Sequence, residues 1–226
     1  MVYTYVEANG ILNPGHGSAL LERAINFALG TLALVTPEAL RGSTPCAAWD
    51  LEALLGHLGD SLLALNEAAA MGCVLGVGED DVLVDDPAAL VRERACGVLG
   101  AWAVLGAGPR AVASGERLAR GVCPGEDADA ATPAGGASVV EVGPGVLEVG
   151  IVAAVGAVEV AVHGWDVGRA CGADRPLPPR LAADLLDVAA LLVCPGDRPA
   201  RFGRVVPVEA CAGESDRLLA FLGRAP

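Results

Sequence analysis

The sequence contains no lysine and few aromatic residues, and both shortages restrict what the protein can do. Aromatic side chains make up 4% of the 226 residues, and 15 basic side chains, all arginine, face 28 acidic ones, which gives a formal net charge of −13. Such an acidic surface repels phosphate groups. We therefore expect neither nucleic acid nor an anionic membrane as a partner.

Long apolar runs and paired cysteines are also missing. Although 53% of the residues are hydrophobic, glycines and charges interrupt every stretch of about 20 residues, the length that a spanning helix needs, so we expect none. The seven cysteines are odd in number and form no CxxC pair, which predicts reduced thiols rather than a disulfide framework. The N-terminus lacks the basic and apolar segments of a secretory signal, so we expect a cytoplasmic protein.

Hydrophobic periodicity predicts a mainly all-α protein. Residues 1–17 contain turn-forming pairs and are expected to form an irregular N-terminal arm, whereas residues 18–226 are expected to form a single domain. Apolar residues at helical spacing predict six helices: these begin near Ser18, Leu51, Pro87, Gly150, Leu181 and Ser215. The predicted fold is a four-helix bundle with a short C-terminal helical appendage.

The chain between the third and fourth predicted helices has a different pattern. Residues 107–137 show no sustained period and are expected to form a long connection with a short helix at 116–120. Two valine-rich segments, 138–142 and 146–149, flank Gly-Pro-Gly. This arrangement predicts a small β-hairpin.

Only three histidines are present, and two of them lie on predicted helices. Glu159 and His163 are four residues apart and share one helix face, on which Asp166 follows. His57 flanks the leucine stripe of the second helix and could complete a metal site if the two helices are neighbours. Two imidazoles and a carboxylate leave positions open on Zn²⁺ or a similar ion, as catalytic sites do. The spacing alone leaves the alternative open, because such pairs also arise by chance and in hydrogen-bonded cores; His16 lies in the predicted arm.

Two segments resemble the signatures of a known family. TPCAAWDL at residues 44–51, followed by LLGHL at 54–58, resembles the pattern TPCxGWDVxxLxxHL, and EVAVHGWDVGRA at 159–170 resembles ExxxHGWDLARA. Both patterns, in this order, are typical of the actinobacterial maleylpyruvate isomerase-like proteins, the mycothiol-dependent branch of the DinB superfamily. The resemblance covers roughly residues 18–224, and the lysine-free composition fits that lineage.

The resemblance implies a DinB-like four-helix bundle that binds a divalent metal. The positions matching the family's ligands are His57, Glu159 and His163, and the implied ion is Zn²⁺, with Ni²⁺, Fe²⁺ or Mn²⁺ as alternatives. Mycothiol is the implied cosubstrate. Residues 70–137 match no family motif, and the separate C-terminal domain of the full-length isomerases is not found, so their particular reaction is not carried over.

Other residues of the two motifs receive structural roles. We expect packing for Trp49 and Trp165, helix capping for Asp50, and a buried structural thiol for Cys46. Asp166 either orients His163 by accepting a hydrogen bond or is a solvated residue near a helix end.

The favoured function is a metal-dependent enzyme that uses mycothiol on a small electrophilic metabolite, as an S-transferase or isomerase, because a bound ion converts a thiol into a thiolate. Arg94 or Arg169 could contact a substrate carboxylate, and no catalytic residue is assigned. The alternatives are a thiol-independent hydrolase, lyase or cyclase, a non-catalytic metabolite-binding protein, and a bundle without metal. The partners expected are a small-molecule substrate and the thiol, and the protein is expected to be a monomer or homodimer.

Overall fold

The computed structural model describes residues 13–46, 49–75, 85–106, 139–199 and 201–226. Within these ranges the chain forms six α-helices: α1 (Pro14–Leu32), α2 (Leu51–Met71), α3 (Pro87–Gly106), α4 (Val149–Ala170), α5 (Pro179–Leu192) and α6 (Glu214–Phe221). Three strands form one sheet: β1 (Cys73–Val74), β2 (Val139–Val142) and β3 (Gly145–Glu148). The mainly α-helical, DinB-like fold that the sequence predicted is confirmed.

The four long helices, α1 to α4, form the bundle, and α5 and α6 pack at its side. The predicted leucine stripe of α2 faces the core, where its six members are at most 6% exposed: Leu51, Leu54, Leu55, Leu58, Leu62 and Leu65. Asp50 caps this helix, because its Oδ1 accepts a hydrogen bond of 2.9 Å from the backbone N–H of Ala53. The helix ends at Gly72, whose φ of 73° is favourable for glycine.

Helix α1 begins earlier than the sequence predicted. Pro14 occupies its first turn, and the side chain of Asn13 accepts a hydrogen bond of 2.9 Å from the backbone N–H of His16. An asparagine cap followed by proline is a favourable helix start. The first N–H groups of a helix have no partner within the helix, and proline, which has no N–H, leaves one fewer of them unpaired. The predicted irregular arm is therefore wrong for residues 14–17, while residues 1–12 lie outside the described part of the chain.

Helices α1 and α4 approach each other closely because small residues line their contact. A Cβ atom on Gly164 would lie 3.0 Å from the Cα of Ala28, so a larger residue there would separate the helices. By length and hydropathy alone, α4 is apolar enough to cross a membrane, but 83% of its most apolar window is buried within the protein. It is the central helix of the bundle.

The predicted β-hairpin is present, with Val139 opposite Glu148 and Val142 opposite Gly145. Strand β1 runs parallel to β2 and was not predicted, because a strand of two residues is too short to show alternating hydrophobicity.

Cys73, in β1, is disulfide-bonded, so the expectation of reduced thiols is wrong at this position. The free cysteines among the described residues are Cys46, Cys96, Cys171, Cys194 and Cys211. The predicted connection at 107–137 and its short helix lie outside the described ranges.

Candidate metal centre

The candidate metal centre lies between α2 and α4. His57, early in α2, contacts Glu159 and His163 in the second half of α4. Further along α2, Leu65 packs against Gly156, which precedes both residues in α4. The two helices are therefore antiparallel neighbours. His57 can share a metal site with Glu159 and His163 only if these helices are adjacent, as they are here.

Both imidazole rings lie within hydrogen-bond distance of the same carboxylate oxygen of Glu159. Its Oε1 lies 2.6 Å from His57 Nε2 and 3.2 Å from His163 Nε2, and the two imidazole rings are nearly perpendicular, at 86°. One ligand atom from each of the three residues lies within 4.8 Å of the other two. Ser61, one turn after His57, also donates to this oxygen at 3.3 Å. The structure thus brings together the three residues that the sequence singled out and adds a serine that it had not.

Asp166 contacts His163 at Nδ1, the ring nitrogen that does not face Glu159. Its side chain is fully buried, and Oδ2 lies 3.0 Å from His163 Nδ1. The interpretation of Asp166 as a solvated residue is therefore wrong. A carboxylate at Nδ1 favours a proton on that nitrogen, so the proton that a metal ion would displace is the one on Nε2, which faces Glu159 Oε1 at 3.2 Å.

Arg224 is a second site residue, after Ser61, that the sequence did not reveal. It follows α6, its side chain is 9% exposed, and its Nη2 donates to Asp166 Oδ2 at 2.9 Å. Its Nε lies 3.4 Å from Oδ1 of the same carboxylate. The available signal was indirect: a carboxylate inside a bundle requires a cationic or hydrogen-bonding partner, but nothing in the spacing of the sequence indicates which arginine supplies it.

Cys46 also contacts this charged pair. Its side chain is half-buried, and Sγ accepts a hydrogen bond of 3.1 Å from Arg224 Nη2. The ligand atoms of Cys46, His163 and Asp166 form a second group within 4.8 Å of one another. However, the guanidinium of Arg224 already occupies the sulfur and the carboxylate, and its positive charge opposes a cation there. The group around Glu159 fits a metal better.

The electrostatics of the site are those of a paired acid–base cluster. Burial would raise the pKa of Glu159, but hydrogen bonds from His163 and His57 outweigh it and hold the pKa well below its usual value. Burial would lower the pKa of His163, but the hydrogen bonds of this residue, above all that to Asp166, raise it well above 6.5. The pKa of Asp166 is lowered, because its interactions with His163 and Arg224 outweigh burial.

The donor set fits a divalent transition metal. Two imidazole nitrogens and one carboxylate oxygen converge, which is the chemistry that Zn²⁺, Ni²⁺, Fe²⁺ and Mn²⁺ accept, and three protein ligands leave a coordination position open. The side chains of His57 and Glu159 are 37% and 31% exposed, whereas that of His163 is 8% exposed. The open side of the cluster is therefore the side of His57 and Glu159.

The two arginines suggested for substrate contact have other partners. Arg94 donates to Asp60 at 3.3 Å, and Arg169 lies 3.8 Å from Asp174 and over the ring of Trp165. Neither makes a hydrogen bond or ion pair with the metal cluster among the described residues. Their role in contacting a substrate stays a prediction.

A helical bundle that holds two histidines and a glutamate between two antiparallel helices is the arrangement of the DinB-like class of proteins. The family model described as the mycothiol maleylpyruvate isomerase N-terminal domain matches residues 21–168, and the chain belongs to this metal-binding, mycothiol-associated family. The match includes the cluster and Asp166 and ends before Arg224. No curated protein and no solved structure matches the chain.

Proposed function

We propose that the protein is a metal-dependent enzyme that uses mycothiol on a small electrophilic metabolite, as an S-transferase or an isomerase. The observation that carries the proposal is the convergence of His57 Nε2 and His163 Nε2 on Glu159 Oε1, at 2.6 Å and 3.2 Å. Membership of a mycothiol-associated family supports the choice of thiol.

Each residue of the cluster has a distinct part in this proposal. His57, Glu159 and His163 hold a divalent ion, with Zn²⁺ as the first choice and Ni²⁺, Fe²⁺ or Mn²⁺ as alternatives. The ion supplies positive charge that lowers the pKa of a coordinated thiol. Asp166 keeps the proton of His163 on Nδ1, and Ser61 holds the Glu159 oxygen by a hydrogen bond of 3.3 Å. The exposed edge of His57 and Glu159 admits the thiol and the metabolite.

Metal content tests the ligand assignment first. Elemental analysis of freshly purified protein should give about one ion per chain, as in a single mononuclear site. His57→Ala and His163→Ala should lose the ion, whereas the matched control His16→Ala, a histidine near the start of α1, should keep it. A ratio far below one in the wild type, not restored by added Zn²⁺ or Ni²⁺, contradicts the assignment.

Calorimetry then tests whether the protein binds mycothiol. The metal-loaded wild type and His16→Ala should bind mycothiol, and the metal-free His163→Ala should not, because the sulfur would lack its anchor. No binding to the metal-loaded wild type rules out thiol transfer and favours a hydrolase, lyase or cyclase that uses water. Equal affinity for a metabolite in wild type and His163→Ala, without turnover, identifies a binding protein instead.

A further inference from the structure

We propose that Trp49 is a positioning residue that fixes the orientation of the His57 imidazole for metal binding. The inference rests on the proposed function only in naming His57 as a ligand. It assigns to the indole ring a task beyond packing: to set the direction in which Nε2 of His57 points.

The two histidines of the cluster are held in different ways. His163 has a carboxylate at Nδ1 and a carboxylate at Nε2, so both ends of its ring are fixed. For His57, the hydrogen bond found among the described residues is that from Nε2 to Glu159. Since χ2 of histidine has a broad torsional preference, a single bond at one edge leaves the ring free to tilt.

The ring of Trp49 supplies the missing restraint on His57. The centroids of the two rings are 4.6 Å apart and their planes are inclined by 36°, so the indole covers one face of the imidazole. The same indole lies 6.1 Å from the ring of His163. The indole therefore lies beside both imidazoles, which are nearly perpendicular to each other, and its close approach to His57 restricts the tilt of that ring.

The backbone of Trp49 is itself held firmly. Its N–H donates to the carbonyl of Cys46 at 2.8 Å, and the hydroxyl of Thr44 lies 2.9 Å from its carbonyl oxygen. On either side of this loop, Ser43 pairs with Asp50 in an isolated antiparallel bridge. A residue tied at both its N–H and its C=O presents its side chain from a fixed base.

The test compares three variants. Trp49→Leu removes the aromatic face, and Trp49→Phe keeps one. Trp102→Leu is the matched control, because Trp102 is also a packed indole, 3% exposed, but lies on α3, where its Nε1 donates to Leu65 O. The readouts are Zn²⁺ affinity by chelator competition, the absorption spectrum of the Co²⁺-substituted protein, thermal stability, and the NMR signals of the His57 ring in the metal-free protein.

Trp49→Leu should weaken Zn²⁺ binding by about 10-fold or more, the scale found for residues that orient metal ligands. It should also change the Co²⁺ spectrum, and Trp49→Phe should largely restore both. Trp102→Leu should lower thermal stability while leaving affinity and spectrum unchanged. Wild-type affinity and an unchanged spectrum in Trp49→Leu overturn the proposal, as does an equal loss of affinity in Trp102→Leu.

The metal-free NMR measurement separates this inference from the proposed function. If the wild type binds no metal, the proposed function fails, yet the His57 ring signals still report its orientation. Trp49→Leu should weaken the NOE contacts that place the His57 ring against the Glu159 side chain, and Trp49→Phe should partly restore them. Unchanged NOE contacts between His57 and Glu159 in Trp49→Leu overturn the positioning role.

Discussion

At the scale of single residues, a shared oxygen organises the candidate metal centre. Oε1 of Glu159 lies between 2.6 and 3.3 Å from the polar side-chain atoms of His57, His163 and Ser61. Hydrogen bonds of this kind hold the three donor groups together when their shared protons are present. A metal ion has to replace those protons, which makes binding depend on pH.

Zn²⁺ affinity should therefore rise with pH beyond the ordinary titration range of histidine. The pKa of His163 is raised well above 6.5, so in the metal-free protein its imidazole keeps a proton that binding must release. The lowered pKa of Glu159 keeps its carboxylate ionised, so it adds no slope in this range. Chelator competition between about pH 6 and about pH 9, with calorimetry in two buffers of different protonation enthalpy, measures the effect. An affinity that stays level above pH 6.5 would contradict the raised pKa.

Sequence reasoning identified the site residues whose partners are close in the chain or match a motif. Glu159, His163 and Asp166 follow from helical spacing, and His57 follows from the first motif. Ser61 lies four residues after His57, so the same spacing rule could have found it. Arg224 could not be found in this way, because 58 residues separate it from Asp166 and its position depends on the route of the chain through α5 and α6.

At the scale of secondary-structure elements, α1 and α4 can approach closely because Gly164 has no side chain where the two helices meet. The Cα of Ala28 lies 3.0 Å from the position that a Cβ on Gly164 would take, which is closer than ordinary van der Waals contact. Sequence periodicity predicted both helices, but it did not show which faces meet. The helix starts were predicted within two residues, except for α1, where Asn13 and Pro14 were interpreted as loop residues although they form a helix start.

Gly164→Ala should destabilise the protein by about 1–3 kcal/mol, because the added methyl group must push α1 away from α4. Gly100→Ala is the matched control on α3, where no described atom lies within 4 Å of the position that the added methyl group would take. It should stabilise the protein by about 0.5–1 kcal/mol, since alanine has the better helix propensity. Urea denaturation measures both free energies of unfolding, and a neutral or stabilising effect of Gly164→Ala would show that the two helices can separate without cost.

At the scale of the whole molecule, the segment around α6 contacts the bundle through the ion pair between Arg224 and Asp166, beside the candidate metal centre. The guanidinium of Arg198 donates to the carbonyl of Phe221 at 2.7 Å, and Val206 N–H donates to Ala220 O at 2.9 Å. Gly223, with φ of 83°, lies against the backbone of Gly203. These contacts place Arg224 on Asp166, so the C-terminal segment completes the support of His163.

Arg224→Ala should destabilise the metal-free protein by about 1.5–3 kcal/mol, because it removes the charge-assisted hydrogen bonds of the guanidinium and leaves His163 as the remaining cationic partner of the buried Asp166 carboxylate. The double variant Asp166→Asn with Arg224→Met should recover part of this loss, since it removes both charges. Arg217→Ala, an exposed arginine 3.8 Å from Glu214, is the control and should change stability by no more than about 0.5 kcal/mol. Urea unfolding of the wild type, Asp166→Asn, Arg224→Met and the double variant forms a double-mutant cycle that gives the coupling energy, and additive effects would show that the pair does not interact.

The pairing of Arg224 with Asp166 also sets an order of events during biosynthesis. The two residues are 58 positions apart, so at about 5–20 residues per second the arginine is added to the chain roughly 3–12 s after the aspartate. During that interval α1, α2 and α4 have all been synthesised, while the carboxylate behind His163 still lacks its cation. The support of His163 at the candidate metal centre is therefore completed late, only after α6 has been synthesised and has docked.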